Sequence, residues 1–386
     1  MMKNKKISII TYYTFMVSGM TSMVLSAMMP YIISKANIEY TKAGKLLAIL
    51  SMGNMLATYI SGYLINRFGK KFMAIVAAIC SMTGMLIVSS IHSYSVLLIG
   101  FLLVGISRGE ISNINNSLVN DCFFGNAKKL NMLHMFFSVG AFIAPLATSM
   151  LLGLDFYWTI IFTIFTLFNV GSIVFYSALP NKKENHISVE GRKEYSFLKQ
   201  PAFWAGAWIL FFYIGIENSV NGWLVTYLTD SGLVSTEMAQ LLLSLLYFIM
   251  VIGRVLGVQF GNKVKGTHLM LASSVGALIM YICILSGTNE RMLLVSVGLI
   301  GLFYAPMYPT TIASCSKTLC NNGVAMGTLL TVGGLGKVIM PYLVGRIADI
   351  DGIKAGMSVI LGGNILLVVV IVVYDLLVIR KGEIRV

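Results

Sequence analysis

Five charged side chains stand inside long apolar segments of this 386-residue sequence: Arg108, Glu110, Glu217, Arg254 and Lys337. A charge at membrane depth costs roughly 2.5–3.5 kcal/mol on insertion scales, so such residues are usually paired or functional. A carboxylate in such a place can bind and release a proton, because loss of water favours its neutral form and a nearby cation favours its charged form. We therefore predict that Glu217 and Glu110 exchange protons. A salt bridge that locks helices together is the alternative for Glu217.

The orientation of these charges limits how they can pair. Arg108 and Glu110 are two residues apart, so on a helix they point about 200° away from each other and only one can face a given cavity. Lys337 is a candidate to neutralise Glu217 or Glu110 from another helix. Arg254 adjoins a glycine and is more easily explained as structural.

Amides and aromatic rings close to the charges form a second group. A small polyhydroxylated ligand such as a sugar needs amides for its hydroxyl pairs and an aromatic ring for its apolar face. The predicted binding residues are Asn113, Asn115, Asn116, Asn221, Trp223, Tyr304, Tyr308, Lys337 and Arg108. Tyr304 and Tyr308 are one turn apart and are expected on one helix face. Packing is the alternative for each aromatic, whereas an amide at lipid depth must find a partner.

Composition indicates which elements position these residues. Hydrophobic residues form 57% of the chain and charged residues 11%, against roughly 25% charged in a soluble domain. The apolar runs approach or exceed the ~20 residues that cross a bilayer as a helix, and they lack the alternation of a barrel. We predict an all-α membrane protein with twelve transmembrane helices, at 7–33, 42–66, 72–91, 95–117, 132–154, 157–179, 201–228, 237–260, 267–287, 292–315, 324–347 and 357–379.

The distribution of cations predicts the topology. Most of the 28 Lys and Arg residues lie at the termini, in the central polar segment and in the even-numbered connections. The positive-inside rule then places both termini in the cytoplasm, and it explains the net charge of +13 without nucleic acid. Residues 180–200 read as a cytoplasmic linker between six-helix bundles at 1–179 and 201–386. The start of the chain lacks a cleavage site and reads as the first helix.

An internal repeat supports the two bundles. At a constant offset of 196 residues, six identical pairs align across four helix pairs. The pairs are Gly19 and Gly215, Tyr31 and Tyr227, Asn66 and Asn262, Gly105 and Gly301, Gly140 and Gly336, and Pro145 and Pro341. The residues predicted to do chemistry do not follow the repeat, since Glu217 stands opposite Thr21 and Lys337 opposite Ala141.

The segment after helix 2 contains Gly62, Asn66, Arg67, Gly69 and Lys70. This segment resembles the cytoplasmic helix 2–3 motif of the major facilitator superfamily, G-x-x-x-D-R-x-G-R-R/K. The resemblance implies a gating role, although Asn66 replaces the acidic residue of the motif. A degenerate second copy begins at Gly253 and Arg254 and continues through Gly261, Asn262 and Lys263. The resemblance also implies that helices 1, 4, 7 and 10 line a central cavity, with helices 2, 5, 8 and 11 beside them.

Three segments, at 105–116, 215–228 and 301–310, resemble the fucose permease-like (fucose:proton symporter) branch of that superfamily. They contain a glycine-spaced helix 4 with an acid and an asparagine, a G-x-E-x-x-x-G-x-W-L-V-x-Y-L pattern and a G-x-x-x-A-P-x-x-P-T pattern. Two features depart from the patterns of the superfamily's symporters and exporters. Helix 1 has no acidic residue, and helix 5 keeps Gly140 and Pro145 of the exporter motif without its following glycine pair.

The resemblance implies a secondary active transporter of a small polar solute in the plasma membrane, of the inner-membrane type, acting by alternating access and coupled to H⁺ or Na⁺. A proton-coupled exporter of a drug, lipid or other amphiphile is the alternative, and an anionic substrate or a nutrient receptor also stays open. An enzyme is not expected, because the four histidines are dispersed. The five scattered cysteines predict neither disulfides nor a metal site, and we expect a monomer without a cofactor.

Overall fold

The computed structural model describes residues 2–90, 93–123, 127–180, 195–260, 264–287, 289–315 and 323–380. Twelve helices in these ranges are long and apolar enough to cross a membrane, which confirms the predicted all-α membrane fold. Most of the predicted linker lies outside the described residues, and its end forms a 3-10 turn over Ser196–Lys199. The helices are numbered α1 to α12 in chain order, and two of them consist of two pieces.

The first six helices are α1a (Met2–Ala27), α1b (Met29–Ala36), α2 (Tyr40–Phe68), α3 (Lys70–Ser90), α4 (Tyr94–Phe123), α5 (Ala127–Gly153) and α6 (Trp158–Ser177). The last six are α7 (Pro201–Asp230), α8 (Thr236–Phe260), α9 (Gly266–Ser286), α10a (Glu290–Tyr304), α10b (Met307–Ser314), α11 (Gly323–Asp351) and α12 (Ile353–Arg380). Most ends lie within a few residues of the predicted spans.

The spans predicted at 7–33 and 292–315 each consist of two helical pieces. The first helix is interrupted at Met28, and the tenth at Ala305 and Pro306. Proline lacks the N–H of a helical hydrogen bond and its ring clashes with the carbonyl four residues earlier. Pro30 lies in the first turn of α1b, and Pro306 directly precedes α10b. Pro341 stays inside α11, so proline alone does not determine where a helix ends.

Glycines bring pairs of helices into backbone contact, and the contact occurs twice. A Cβ on Gly105 of α4 would overlap the Leu50 carbonyl oxygen of α2, and a Cβ on Gly301 of α10a would overlap the Leu246 carbonyl oxygen of α8. The glycines and the two carbonyls are both 196 residues apart. Small residues at crossings let helix backbones approach closely in a membrane. The sequence repeat therefore corresponds to a repeated helix crossing.

Gly336→Ala is expected to destabilise the protein, because a Cβ at this position of α11 would overlap the Phe211 carbonyl oxygen of α7. Overpacking of this kind costs about 1–3 kcal/mol. Gly362→Ala on α12 is the matched control, since a Cβ there meets nothing within 4 Å. Thermal unfolding in detergent should show a lower melting temperature for Gly336→Ala alone, and equal melting temperatures would contradict the crossing.

One end of the bundle is closed by hydrogen bonds between the first and last six helices, and we call it the closed end. Asp349 of α11 accepts hydrogen bonds from the backbone N–H groups of Tyr40 and Thr41, at 2.8 Å each. The Tyr40 hydroxyl donates to Asp230 of α7 at 2.7 Å. These residues lie at the start of α2 and at the ends of α7 and α11, so the three helices meet there.

The opposite end, which carries the start of α1a and the 3-10 turn at Ser196–Lys199, is the open end. Met55 of α2 still packs against α11, because a Cβ on Gly334 would meet its sulfur at 3.0 Å. One and two turns further along the same face of α2, Tyr59 is 85% exposed and Tyr63 65%. Leu330, one turn from Gly334 on α11, is 39% exposed. The facing sides of α2 and α11 therefore separate beyond Met55.

The buried apolar core divides in the same way. A large cluster combines residues near the closed end of the first six helices with residues from all of the last six. A second cluster, which includes Ile10, Phe15, Ala74, Ile114 and Tyr176, draws only on the first six helices. The two halves thus share one core at the closed end, and the first six helices have a separate core at the open end.

Candidate functional site

Glu217 lies near the middle of α7 and is half-buried. It interacts electrostatically with Arg108, which lies near the middle of α4, and with Lys337, which lies near the middle of α11. Tyr247 of α8 is within electrostatic reach of Glu217, Arg108 and Arg254. The structure therefore brings one predicted acid and three predicted cations together between the two halves. We call Arg108, Glu217, Arg254 and Lys337 the central charge group.

Each cation of the central charge group contacts a neutral partner. Lys337 Nζ donates to Asn54 Oδ1 of α2 at 3.2 Å, and Arg254 Nη1 donates to Ser138 Oγ of α5 at 2.9 Å. The Arg108 guanidinium lies over the ring of Phe137, with Cζ 5.4 Å from the centroid. The ion pairs within 4.0 Å in the described ranges join Lys70 to Asp121 and Lys265 to Asp375. No member of the central charge group belongs to either pair.

Glu110, the other predicted proton-binding acid, does not join the central charge group. Its side chain is buried, and Oε2 accepts a hydrogen bond of 2.7 Å from Ser61 of α2. The other carboxylate oxygen has no hydrogen-bond partner among the described residues. Arg108 and Glu110 therefore point to different neighbours, as their two-residue spacing predicts. Glu110 faces the interior of the first six helices.

The three amides of α4 also separate. Asn115 is fully buried and donates to Thr14 Oγ1 of α1a at 3.1 Å, while its Oδ1 accepts from the Tyr176 hydroxyl of α6 at 3.1 Å. Asn113 donates to the Thr58 carbonyl of α2 at 2.9 Å. Asn116 Oδ1 has no partner among the described residues. Asn115 and Asn113 thus join helices, and Asn116 keeps a free amide oxygen.

On α7, one predicted residue lies beside Glu217 and another lies in the closed end. Asn221 is one turn from Glu217, on the same face, and its Oδ1 has no partner among the described residues. Trp223 is fully buried; its indole N–H donates to the Pro341 carbonyl at 3.0 Å, and its ring lies 6.0 Å from that of Tyr40. Trp223 therefore seals the closed end and does not join the central charge group.

Tyr304 and Tyr308, which the sequence predicts on one helix face, lie on α10a and α10b, and Ala305 and Pro306 between them keep helical φ and ψ angles. Tyr304 ends α10a and is buried, whereas Tyr308 lies on α10b and is 40% exposed. Both remain within electrostatic reach of Glu217.

The predicted gating motif forms the α2–α3 turn at the open end. Gly69 adopts a φ of +85°, which only glycine takes without strain. Lys70 forms an ion pair with Asp121 of α4. The Arg67 guanidinium lies over the ring of Phe68, with Cζ 5.3 Å from the ring centroid. Asn66 is exposed, and Gly62 has open space around it. The second copy lies outside the described residues at 261–263.

Sequence reasoning missed several groups around the site. Tyr213 and Tyr247 lie within electrostatic reach of both Glu217 and Arg254. Asn54, which accepts a hydrogen bond from Lys337, is an amide within an apolar helix. An amide in that position needs a partner, so the sequence could have identified it. Asp349 lies in the last turn of α11, beside the polar boundary of the helix, and nothing in the sequence marks its contact with α2.

Comparisons with known proteins agree with this architecture. Residues 11–341 match the family described as Major Facilitator Superfamily. The Glucose/galactose transporter of Brucella abortus is 24% identical over 366 residues, which cover 88% of this chain and 87% of that protein. Bypass of stop codon protein 6 of Saccharomyces cerevisiae is 22% identical over 382 residues, which cover 88% of this chain and 76% of that protein.

The fold also matches solved structures. The nucleoside transporter NupG superposes with a TM-score of 0.81 at 13% identity, over 96% of this chain and 99% of that chain. At this identity the likeness concerns the fold alone, and it includes all twelve helices. Because the family match spans most of the sequence, this chain belongs to the Major Facilitator Superfamily.

Proposed function

We propose that this chain is a proton-coupled symporter of a small polar solute, a sugar or a related metabolite. The observation that supports the proposal is the central charge group, which lies between two halves that meet at the closed end and separate at the open end. Charged residues at the middle of a membrane mark substrate and ion pathways. A site between repeats that is reached from one side at a time is the arrangement of alternating access.

Two six-helix units, 1–179 and 201–386, are proposed to move against each other around this site. With both termini in the cytoplasm, the open end faces the cytoplasm and the structure corresponds to an inward-facing state. Trp223 and Tyr40 then form the extracellular seal, and the α2–α3 turn moves at the cytoplasmic gate. One chain supplies both halves of the site, so we propose a monomer in the plasma membrane.

Glu217 is proposed as the coupling residue, with H⁺ as the coupling ion. It is the carboxylate of the central charge group, and two cations interact with it. Substrate that changes the contacts of those cations changes the proton affinity of the carboxylate, which links the two binding events. Asn221, Asn116 and Tyr308 are proposed to contact the substrate. The short segments that resemble the fucose permease-like branch, and the Brucella abortus relative, support a sugar-type solute.

The test is counterflow and gradient-driven uptake by the purified chain in proteoliposomes. We expect exchange of a labelled monosaccharide or sugar acid, accumulation under an inward proton gradient, and collapse of accumulation with a protonophore. Accumulation driven by Na⁺ alone would overturn the proton assignment. Inverted membrane vesicles that instead take up an amphiphilic dye into their lumen, without sugar exchange in proteoliposomes, would favour the exporter over the symporter.

A further inference from the structure

The charge of the central site is unbalanced. The sequence predicts two acids and three cations at depth, but the structure turns Glu110 towards Ser61 within the first six helices. Glu217 remains as the carboxylate of the central charge group, against Arg108, Arg254 and Lys337. The group therefore has a formal charge of +2, counted from one carboxylate and three cations.

The partners of the three cations are neutral. Arg108 lies over the ring of Phe137, and Lys337 Nζ contacts the Asn54 amide oxygen. Arg254 contacts the Ser138 hydroxyl. Taking a cation from water without an anion nearby is costly, and dipoles or rings offset only part of that cost. Glu217 offsets one of the three positive charges, and the site lacks an anion for the other two.

The cations belong to both halves of the molecule. Arg108 lies on α4, in the first six helices, while Arg254 and Lys337 lie on α8 and α11, in the last six. Lys337 and Arg254 both make their contact across the two halves, to α2 and to α5. An anion held among them would attract cations from both halves. Cations that move with opposite halves would thus couple ligand binding to the movement of those halves.

We propose that the substrate is a hydroxylated organic anion, such as a sugar acid, whose negative group binds Lys337 and Arg108. This proposal rests on the proposed function, because it specifies the charge of the solute. The amide oxygens of Asn221 and Asn116 are buried and have no partner among the described residues, and in this proposal they accept hydrogen bonds from the hydroxyl groups. A neutral sugar would use the same hydroxyl contacts and leave the formal charge of +2 without a counterion.

The experiment compares probes that differ in charge but share one ring. D-Galactose, D-galacturonate and D-galactose 6-phosphate are tested in counterflow and in binding by thermal shift with the full-length chain. We expect the carboxylate, the phosphate or both to exchange and to stabilise the protein, and the neutral sugar to do neither. The comparison between the two anions identifies whether a carboxylate or a phosphate is preferred.

Charge variants test the location of the anion. Lys337→Gln should weaken anion binding by about tenfold or more, since a hydrogen bond to a charged group contributes about 1.5–3 kcal/mol. Lys337→Arg keeps the charge and should retain binding, which excludes misfolding as the cause. Lys45→Gln, an exposed lysine near the start of α2, is the matched control and should bind as the wild type does.

The outcomes separate this inference from the proposed function. Exchange of D-galactose without either anion would overturn the inference and leave a sugar transporter. Anion binding that is unchanged in Lys337→Gln and in Arg108→Gln would overturn it as well. If the protein melts cooperatively but exchanges none of the three probes, the result counts against both the sugar-type function and the anionic substrate.

Discussion

Glu217→Gln is expected to abolish accumulation driven by a proton gradient while exchange of substrate continues. Glutamine has the size of glutamic acid and retains an acceptor oxygen, but it cannot take up a proton. With an inward gradient of about one pH unit, a symporter of one proton accumulates its substrate by up to about tenfold, because 1.4 kcal/mol corresponds to a factor of ten. The variant should reach equal concentrations inside and outside, as measured by uptake in proteoliposomes with an imposed pH gradient.

Two matched variants make this result specific. Glu290→Gln changes an exposed acid in the first turn of α10a and should accumulate substrate as the wild type does. Glu110→Gln should also retain accumulation, because Glu110 contacts Ser61 and lies apart from the central charge group. If Glu110→Gln loses accumulation while Glu217→Gln retains it, the coupling proton binds in the first six helices and Glu217 is not the coupling residue.

Asp349→Ala is expected to open the closed end. The Asp349 carboxylate accepts two backbone hydrogen bonds at the N-terminus of α2, where the helix dipole also favours an anion. The residue is exposed, so solvent screens the interaction and we expect a loss of about 1–2 kcal/mol. That loss shifts the ratio of the two conformations by roughly 5- to 30-fold, since 1.4 kcal/mol is a factor of ten.

Double electron–electron resonance measures this shift as a change in the distance between two spin labels. Spin labels at Lys35 on α1b and Ile350 on α11, both exposed, report on the two halves at the closed end in a background without the native cysteines. A longer distance should become populated in Asp349→Ala. Asp351→Ala removes an exposed acid from the same helix end and is the matched control. Identical distance distributions in the two variants would show that the Asp349 contact does not hold the closed end.

The sequence predicted the scaffold well because that information is local. Helix number and approximate ends follow from the length of apolar runs, and the repeat follows from identities at one offset. The repeat also extends to contacts between helices. The carbonyl oxygens that Gly105 and Gly301 approach belong to Leu50 and Leu246, which are also 196 residues apart. The interrupted helices were missed, because Pro306 ends a helix whereas Pro341 remains inside one. That difference depends on the neighbours that accommodate the kink.

The candidate site was predicted only in part. The sequence identified the charges at membrane depth and required Arg108 and Glu110 to point in different directions, but it did not indicate which one faces the other half. The same limit applied to the amides of α4, where the Asn115 side chain is already hydrogen-bonded to Thr14 and Tyr176. Trp223 was proposed as a ring beneath a substrate, yet its partner is the Pro341 carbonyl, 118 residues away.

The sequence by itself determined that this chain has twelve membrane helices in a repeated arrangement, and that a few charged residues occur at depth. Hydrophobic length and periodicity are properties of neighbouring residues, so they can be read along the chain. Only the tertiary structure decided that Arg108, Glu217, Arg254 and Lys337 form one group, that Glu110 does not belong to it, and that one end is closed. Those facts depend on how each helix is rotated and which helix it packs against, and contacts between distant residues decide both.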